Sequence, residues 1–194
     1  MLPTTKDRRV RRTQNLLKQS LIQLMYEKEF KDITIKDITE LADLNRSTFY
    51  LHYEDIYDLL NQIENEAIQQ FELILTGFNE NKIEHSLTLL EQVFMYIDDN
   101  KKIFNLLLKQ QKQAPQFLDK IKTLIQIDGL QTLQNVYSES SPESYTFFLS
   151  FVSSGILGVT MTWLNEELTL TPKELATLVD HMISSNSNLL TQKN

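Results

Sequence analysis

Apolar residues recur along this chain three, four and seven positions apart, the spacing of a helix face, and alternate only in passing. Leu17, Leu21, Leu24 and Met25 mark one side of a helix from about Asp7 to Lys28. Ile33 and Ile35 alternate as a strand would, but Thr34 with Asp37 three residues on has the form of a capping box. A short helix from Ile35 to Ala42 follows, with Ile35, Ile38, Leu41 and Ala42 inward. Asp43 tolerates the left-handed region better than most residues. Asn45 can then cap a second short helix, Arg46 to about His52. Two short helices across the turn Asp43-Leu44-Asn45 have the spacing of a helix-turn-helix.

Further helices are expected to the end of the chain. Asp55 and Asp58 start one whose stripe is Leu60, Ile63, Ala67, Phe71 and Leu75, with Gly77 as its end. Ser86 is a cap for Leu87, Leu90, Phe94 and Ile97, and Asp98-Asp99-Asn100 closes that helix. Lys101 to Lys112 turns Ile103, Phe104, Leu107 and Leu108 inward. Pro115 opens a helix to about Tyr137, with Gly129 as an irregularity. Ser141-Pro142 opens the next, and Thr171-Pro172-Lys173-Glu174 the last, which presents Leu175, Leu178, Val179, Met182 and Ile183. The tail after about Leu190 is polar and expected to fray. The fold class is all-α.

Composition narrows the chemistry. The 194 residues include no cysteine, which removes disulfides, thiol nucleophiles and Cys-ligated metals. Four Gly and four Pro are too few for the turns of a β-sandwich. The net charge of −7 is unevenly spread: residues 1–53 hold ten Lys/Arg against seven Asp/Glu, and the remainder nine against nineteen. Lys6, Arg8, Arg9, Arg11 and Arg12 form a basic arm over residues 1–12, a footprint for phosphate.

Other function classes find less support. Ser144 to Asn165 carries no charge, but its seven Ser/Thr residues and acidic flanks suit a buried helix better than a membrane span. Ser150, Ser154 and Gly158 recur every four residues there, a stripe suited to a subunit interface. His52, His85 and His181 are scattered outside any ligand motif, and there is no nucleophile elbow, phosphate loop or dinucleotide fingerprint. No catalytic residue, metal site or cofactor is expected. With no secretion signal at the start, the expected location is cytoplasmic.

The stretch from Ile33 to Tyr53, containing A-D-L-N-R-S-T-F-Y-L-H-Y, resembles the DNA-binding domain of the tetracycline-repressor (TetR) family, and the match runs ungapped over residues 8–60. Asp43 stands where that family usually has glycine, and Glu54 and Asp55 replace a common lysine. Asn100-Lys101-Lys102-Ile103-Phe104, Ser154-Gly155-Ile156-Leu157-Gly158 and Trp163-Leu164 resemble a subgroup that includes the activator of a dihydroxyacetone-kinase operon.

The resemblance implies an N-terminal three-helix helix-turn-helix DNA-binding domain, residues 1–53, followed by a helical ligand-binding and dimerisation domain, residues 54–194. It implies a homodimer on palindromic double-stranded operator DNA, controlled by a small-molecule effector, with repression expected ahead of activation. Asn45, Arg46, Ser47 and Thr48 would face base edges. Thr34, Lys36, Tyr50, His52 and Tyr53 would meet phosphates, and Phe49 would pack inside. Phe94, Tyr96, Phe104, Phe117 and Trp163 are candidates for the effector pocket. The rival reading is a protein–protein adaptor that keeps the fold without operator binding, motivated by the acidic start of the fourth helix at Glu54-Asp55 and by the acidic chain as a whole.

Overall fold

The computed structural model describes residues 5–80, 86–109, 115–136, 141–165 and 168–187. Among these are nine α-helices: α1 (Thr5–Glu27), α2 (Ile35–Leu41), α3 (Arg46–Tyr50), α4 (Ile56–Glu80), α5 (Ser86–Asp99), α6 (Lys101–Lys109), α7 (Pro115–Val136), α8 (Pro142–Asn165) and α9 (Pro172–Ser187). A single 3-10 turn, Phe30–Asp32, leads from α1 toward α2. No strand occurs among the described residues. The chain divides into two compact units, Met1–Ala67 and Ile68–Asn194, and the division falls inside α4. The Lys6 side chain, the expected helix ends at Lys112 and Tyr137, and the tail after Leu190 lie outside the described residues.

In the first unit, Leu17, Leu21, Ile38, Phe49 and Leu59 are fully enclosed. α2 begins as its sequence dictates. The Thr34 hydroxyl accepts from the Asp37 N–H at 3.2 Å, and the Thr34 N–H donates to Asp37 Oδ2 at 2.8 Å. Asp43 is the one non-glycine residue at positive φ among those described, at 53°, and turns the chain from α2 toward α3. At the start of α4, the Asp58 N–H donates to Asp55 Oδ1 at 2.8 Å and the Glu54 N–H to Asp58 Oδ2 at 3.0 Å. That acidic start therefore satisfies otherwise orphaned backbone donors.

Residues of the second unit correct three expectations. α4 does not end at Gly77 but runs on to Glu80; one helical glycine costs only about 1 kcal/mol, which a 25-residue helix absorbs. Ser86 is the first residue of α5 and not the residue before it, and its hydroxyl donates to Asp180 on α9. Gly129 is no irregularity: it lies within α7, where a Cβ would stand 2.6 Å from Leu149 Cδ2 on α8. The Thr171–Glu174 box does open α9, with Glu174 Oε2 accepting from the Thr171 N–H at 2.8 Å.

The uncharged helix α8 is long and apolar enough to cross a membrane. One side of it is buried, through Tyr145, Phe148, Leu149, Val152, Leu157, Trp163 and Leu164. The other side exposes Phe147 (76%), Ser150, Phe151 (58%), Ser154, Gly155 and Gly158, which share one helical face. On α9, Leu178 and Met182 are likewise exposed, while Leu175, Ala176 and Val179 are buried.

Candidate nucleic-acid interface and effector cavity

α3 has five residues, too few to hold as an isolated helix. Burial of Phe49, fully enclosed beneath it, fixes the helix to the unit and turns its neighbours outward. Asn45 occupies the N-cap position with extended backbone, and its carbonyl accepts from the Thr48 N–H at 2.9 Å. Its carboxamide makes no capping bond, contrary to the sequence expectation, and the residue is exposed. Arg46 and Ser47 are exposed, and Thr48 is half-buried. A carboxamide, a guanidinium and a hydroxyl thus lie together at the start of one short helix. These are the groups that pair bidentately with adenine, pair with guanine, or bond to either base.

The flanking residues sort differently. Tyr50 is 59% exposed, its ring edge-on to Phe49 at 5.7 Å. Lys36 is exposed, and its 3.6 Å pair with Glu40 is solvent-screened and weak, so the ammonium remains available to phosphate. His52 is half-buried beside Tyr53, with ring centroids 6.3 Å apart. The Thr34 hydroxyl donates to Asp37 Oδ2 at 2.7 Å, so its proton is already committed. Lys28 reaches the same oxygen at 2.7 Å, and these bonds together hold the Asp37 carboxyl well below the usual carboxylate range.

Tyr53 departs from the expectation of a phosphate contact. It is 2% exposed, and its enclosed hydroxyl has no hydrogen-bond partner among the described residues. Burial first, then the nearby Glu66 and Asp58 charges, pushes it up to about 12. It is a core residue, packed against Phe49 at 5.6 Å.

The cations of the arm are on a helix. α1 already includes Thr5, and Arg8, Arg11, Arg12, Asn15, Leu16 and Gln19 line one shallow depression on it. Sequence reasoning also passed over Leu51, which caps α3 beside Tyr50 and is strongly exposed.

The second unit contains a cavity of about 130 Å³. Its wall draws Phe71 and Leu75 from α4, Leu90 and Ile97 from α5, Phe104 from α6, Phe117 and Ile121 from α7, and Leu157 and Thr160 from α8. Of the five expected pocket residues, Phe104 and Phe117 lie in this wall. Phe94 instead packs edge-on to Trp163 at 6.0 Å. The Trp163 indole N–H donates to the Leu170 carbonyl at 2.9 Å, and Lys101 Nζ stands 5.3 Å over its ring. Tyr96 meets Phe71 and Phe104 edge-on at 5.4 and 5.5 Å, behind the wall. Among the described residues no cluster of His, Asp or Glu could hold a metal.

Two short helices joined by a tight turn, the second with polar residues facing outward at its start, form the arrangement of a DNA-reading helix-turn-helix. A TetR-type family described as the transcriptional regulator C-terminal region matches residues 84–185, and the chain belongs to this family of regulators, not to an enzyme family. The uncharacterised HTH-type transcriptional regulator YxbF of Bacillus subtilis (strain 168) is 24% identical over 172 residues, covering 87% of this chain. This chain spans only 44% of that protein's length. A crystal structure from Syntrophomonas wolfei, described as a TetR-family transcriptional regulator, is similar with a TM-score of 0.72 and 14% identity, covering 94% of this chain and 96% of the other. The dihydroxyacetone kinase operon activator DhaS is similar with a TM-score of 0.65 and 18% identity, covering 91% and 97%.

Proposed function

We propose that this chain binds palindromic operator DNA as a homodimer in the cytoplasm and represses transcription until a small molecule releases it. The observation that carries the reading is the start of α3, where Asn45, Arg46 and Ser47 present uncommitted polar groups to solvent. Lys36, Tyr50 and His52 flank it for phosphate contact. Thr34 and Tyr53 leave that role, the first for its cap and the second for the core.

Dimerisation is supported by the exposed face of α8. Phe147 and Phe151 need covering, and the small residues beside them admit a second helix closely, as an isologous contact would. Ligand control is supported by the cavity, whose wall includes Phe71 and Leu75 of α4. The same helix carries Leu59 and Leu60 of the first unit, so a ligand that displaces α4 alters the spacing of the two reading helices. Repression follows from occupancy, since a dimer seated on a promoter excludes other proteins from it.

The Asp55 and Asp58 carboxylates, part of the acidic start that motivates the adaptor reading, have a structural use as caps of α4. The test is a gel shift on the promoter region of its own gene, with Arg46→Ala and Tyr50→Ala alongside. Arg46→Ala is expected to cost about 1–3 kcal/mol at one position per half-site and to relax base choice there. Tyr50→Ala weakens binding to all sequences alike. Parental affinity in both variants would remove the assignment of α3 as the reading helix.

A further inference from the structure

The cavity limits what its ligand can be, an inference that rests on the ligand-control reading above. Its described wall presents carbon throughout, and no titratable side chain lines it. Thr160 is the one polar residue among the described lining, and that hydroxyl donates to the Ile156 carbonyl at 2.7 Å. A carboxylate, phosphate or ammonium placed inside would lose its water and meet no partner.

Size narrows the choice further. At about 130 Å³ the space is close to that of an engineered Leu/Ile/Phe-lined cavity that stays dry and takes benzene. Phe104 stands edge-on to Phe71 at 5.6 Å and tilted to Phe117 at 6.3 Å, so an entering ring meets both aromatic edges and faces. We propose that this cavity takes a small uncharged molecule of single-ring size, held by dispersion and exclusion of water, without an ion pair or hydrogen bond. Charged effectors are excluded from it.

Toluene and benzoate, which share a ring and differ in charge, test this on the full chain. Toluene is expected to shift the methyl resonances of Ile121, Ile125 and Leu157 and to raise the thermal midpoint. Benzoate is expected to bind on the order of 100-fold more weakly or not at all. Filling the space from two different helices, by Leu90→Phe and by Ile121→Phe, should abolish the toluene shifts. Benzoate binding within tenfold of toluene, unmoved methyls, or toluene shifts surviving in both filled variants would overturn the proposal. The toluene–benzoate comparison on the parent chain decides the matter even where a filled variant fails to fold. Operator gel shifts on the same preparations separate the two readings. An operator complex without toluene binding overturns the ligand class alone; toluene binding without an operator complex supports that class and removes DNA binding.

Discussion

Gly129 on α7 faces Leu149 on α8 so closely that a single added methyl would lie 2.6 Å from the leucine Cδ2. Leu149 is itself buried, so its side chain has little room to turn aside. With no side chain at residue 129, the end of the Leu149 side chain occupies the space a Cβ would take.

Replacing Gly129 with alanine sets a helix-propensity gain of about 1 kcal/mol against an overpacking cost of about 1–3 kcal/mol. The expected net effect is a loss of stability of about 1 kcal/mol. In a Leu149→Ala background the clash is gone, and the same change should then stabilise. Urea titrations of the four chains read this reversal of sign, and an equal effect in both backgrounds would refute the contact.

Asp43→Gly should stabilise the first unit by about 0.5–1 kcal/mol. An L-residue at φ 53° is strained, and glycine relieves that strain at the expense of a more disordered unfolded chain. Chemical denaturation measures the gain, and a loss of stability would mean that the Asp43 side chain supports the turn.

Tyr53→Phe removes a buried hydroxyl that has no partner among the described residues, and is expected to be neutral or to stabilise by up to about 1 kcal/mol at neutral pH. The sign of the pH effect follows from the direction of the shift. Folding raises Tyr53 from 10.0 to about 12, so its contribution is complete below pH 10 and is lost as the pH climbs toward 12. Across that window the parent should lose more stability than the variant. Parallel loss in the two chains would show that Tyr53 ionises freely.

Gly158→Leu should break the proposed dimer while sparing the subunit. Among the described residues outside its own turn of helix, nothing lies within 4 Å of a Cβ built at Gly158, and leucine is the better helix former. Light scattering should give a dimer for the parent and a monomer for the variant at equal concentration, with helical circular dichroism unchanged. A monomeric parent chain would end the homodimer reading.

What could be read from the sequence was local. Thr34 with Asp37, Asp55 with Asp58, and Thr171 with Glu174 act within a few residues, and each forms the cap its spacing implies. Asn45 was legible as a position but not as a bond, because a carboxamide can cap or turn away without changing the chain's path. The role of Gly129 depends on a residue twenty positions later. Phe104 and Phe117 lie in the cavity wall, whereas Phe94 is off it by helix rotation: one residue turns a helix by about 100°, so Val93 faces the cavity while Phe94 faces Trp163. Tyr53 was misplaced because a phenol suits both a phosphate and a core, and only its burial decides between them.

In the operator complex proposed above, Asp43 would act on time as well as stability. Its exposed carboxylate lies on the turn just ahead of Asn45, so a duplex seated against α3 would meet a negative charge there, whatever its bases. Binding to wrong sites consists almost wholly of phosphate attraction, whereas a right site adds base contacts. A fixed repulsion therefore takes a larger share of the hold on wrong DNA than on right DNA. On that reading the dwell on each wrong stretch would shorten, and the search along the genome would quicken.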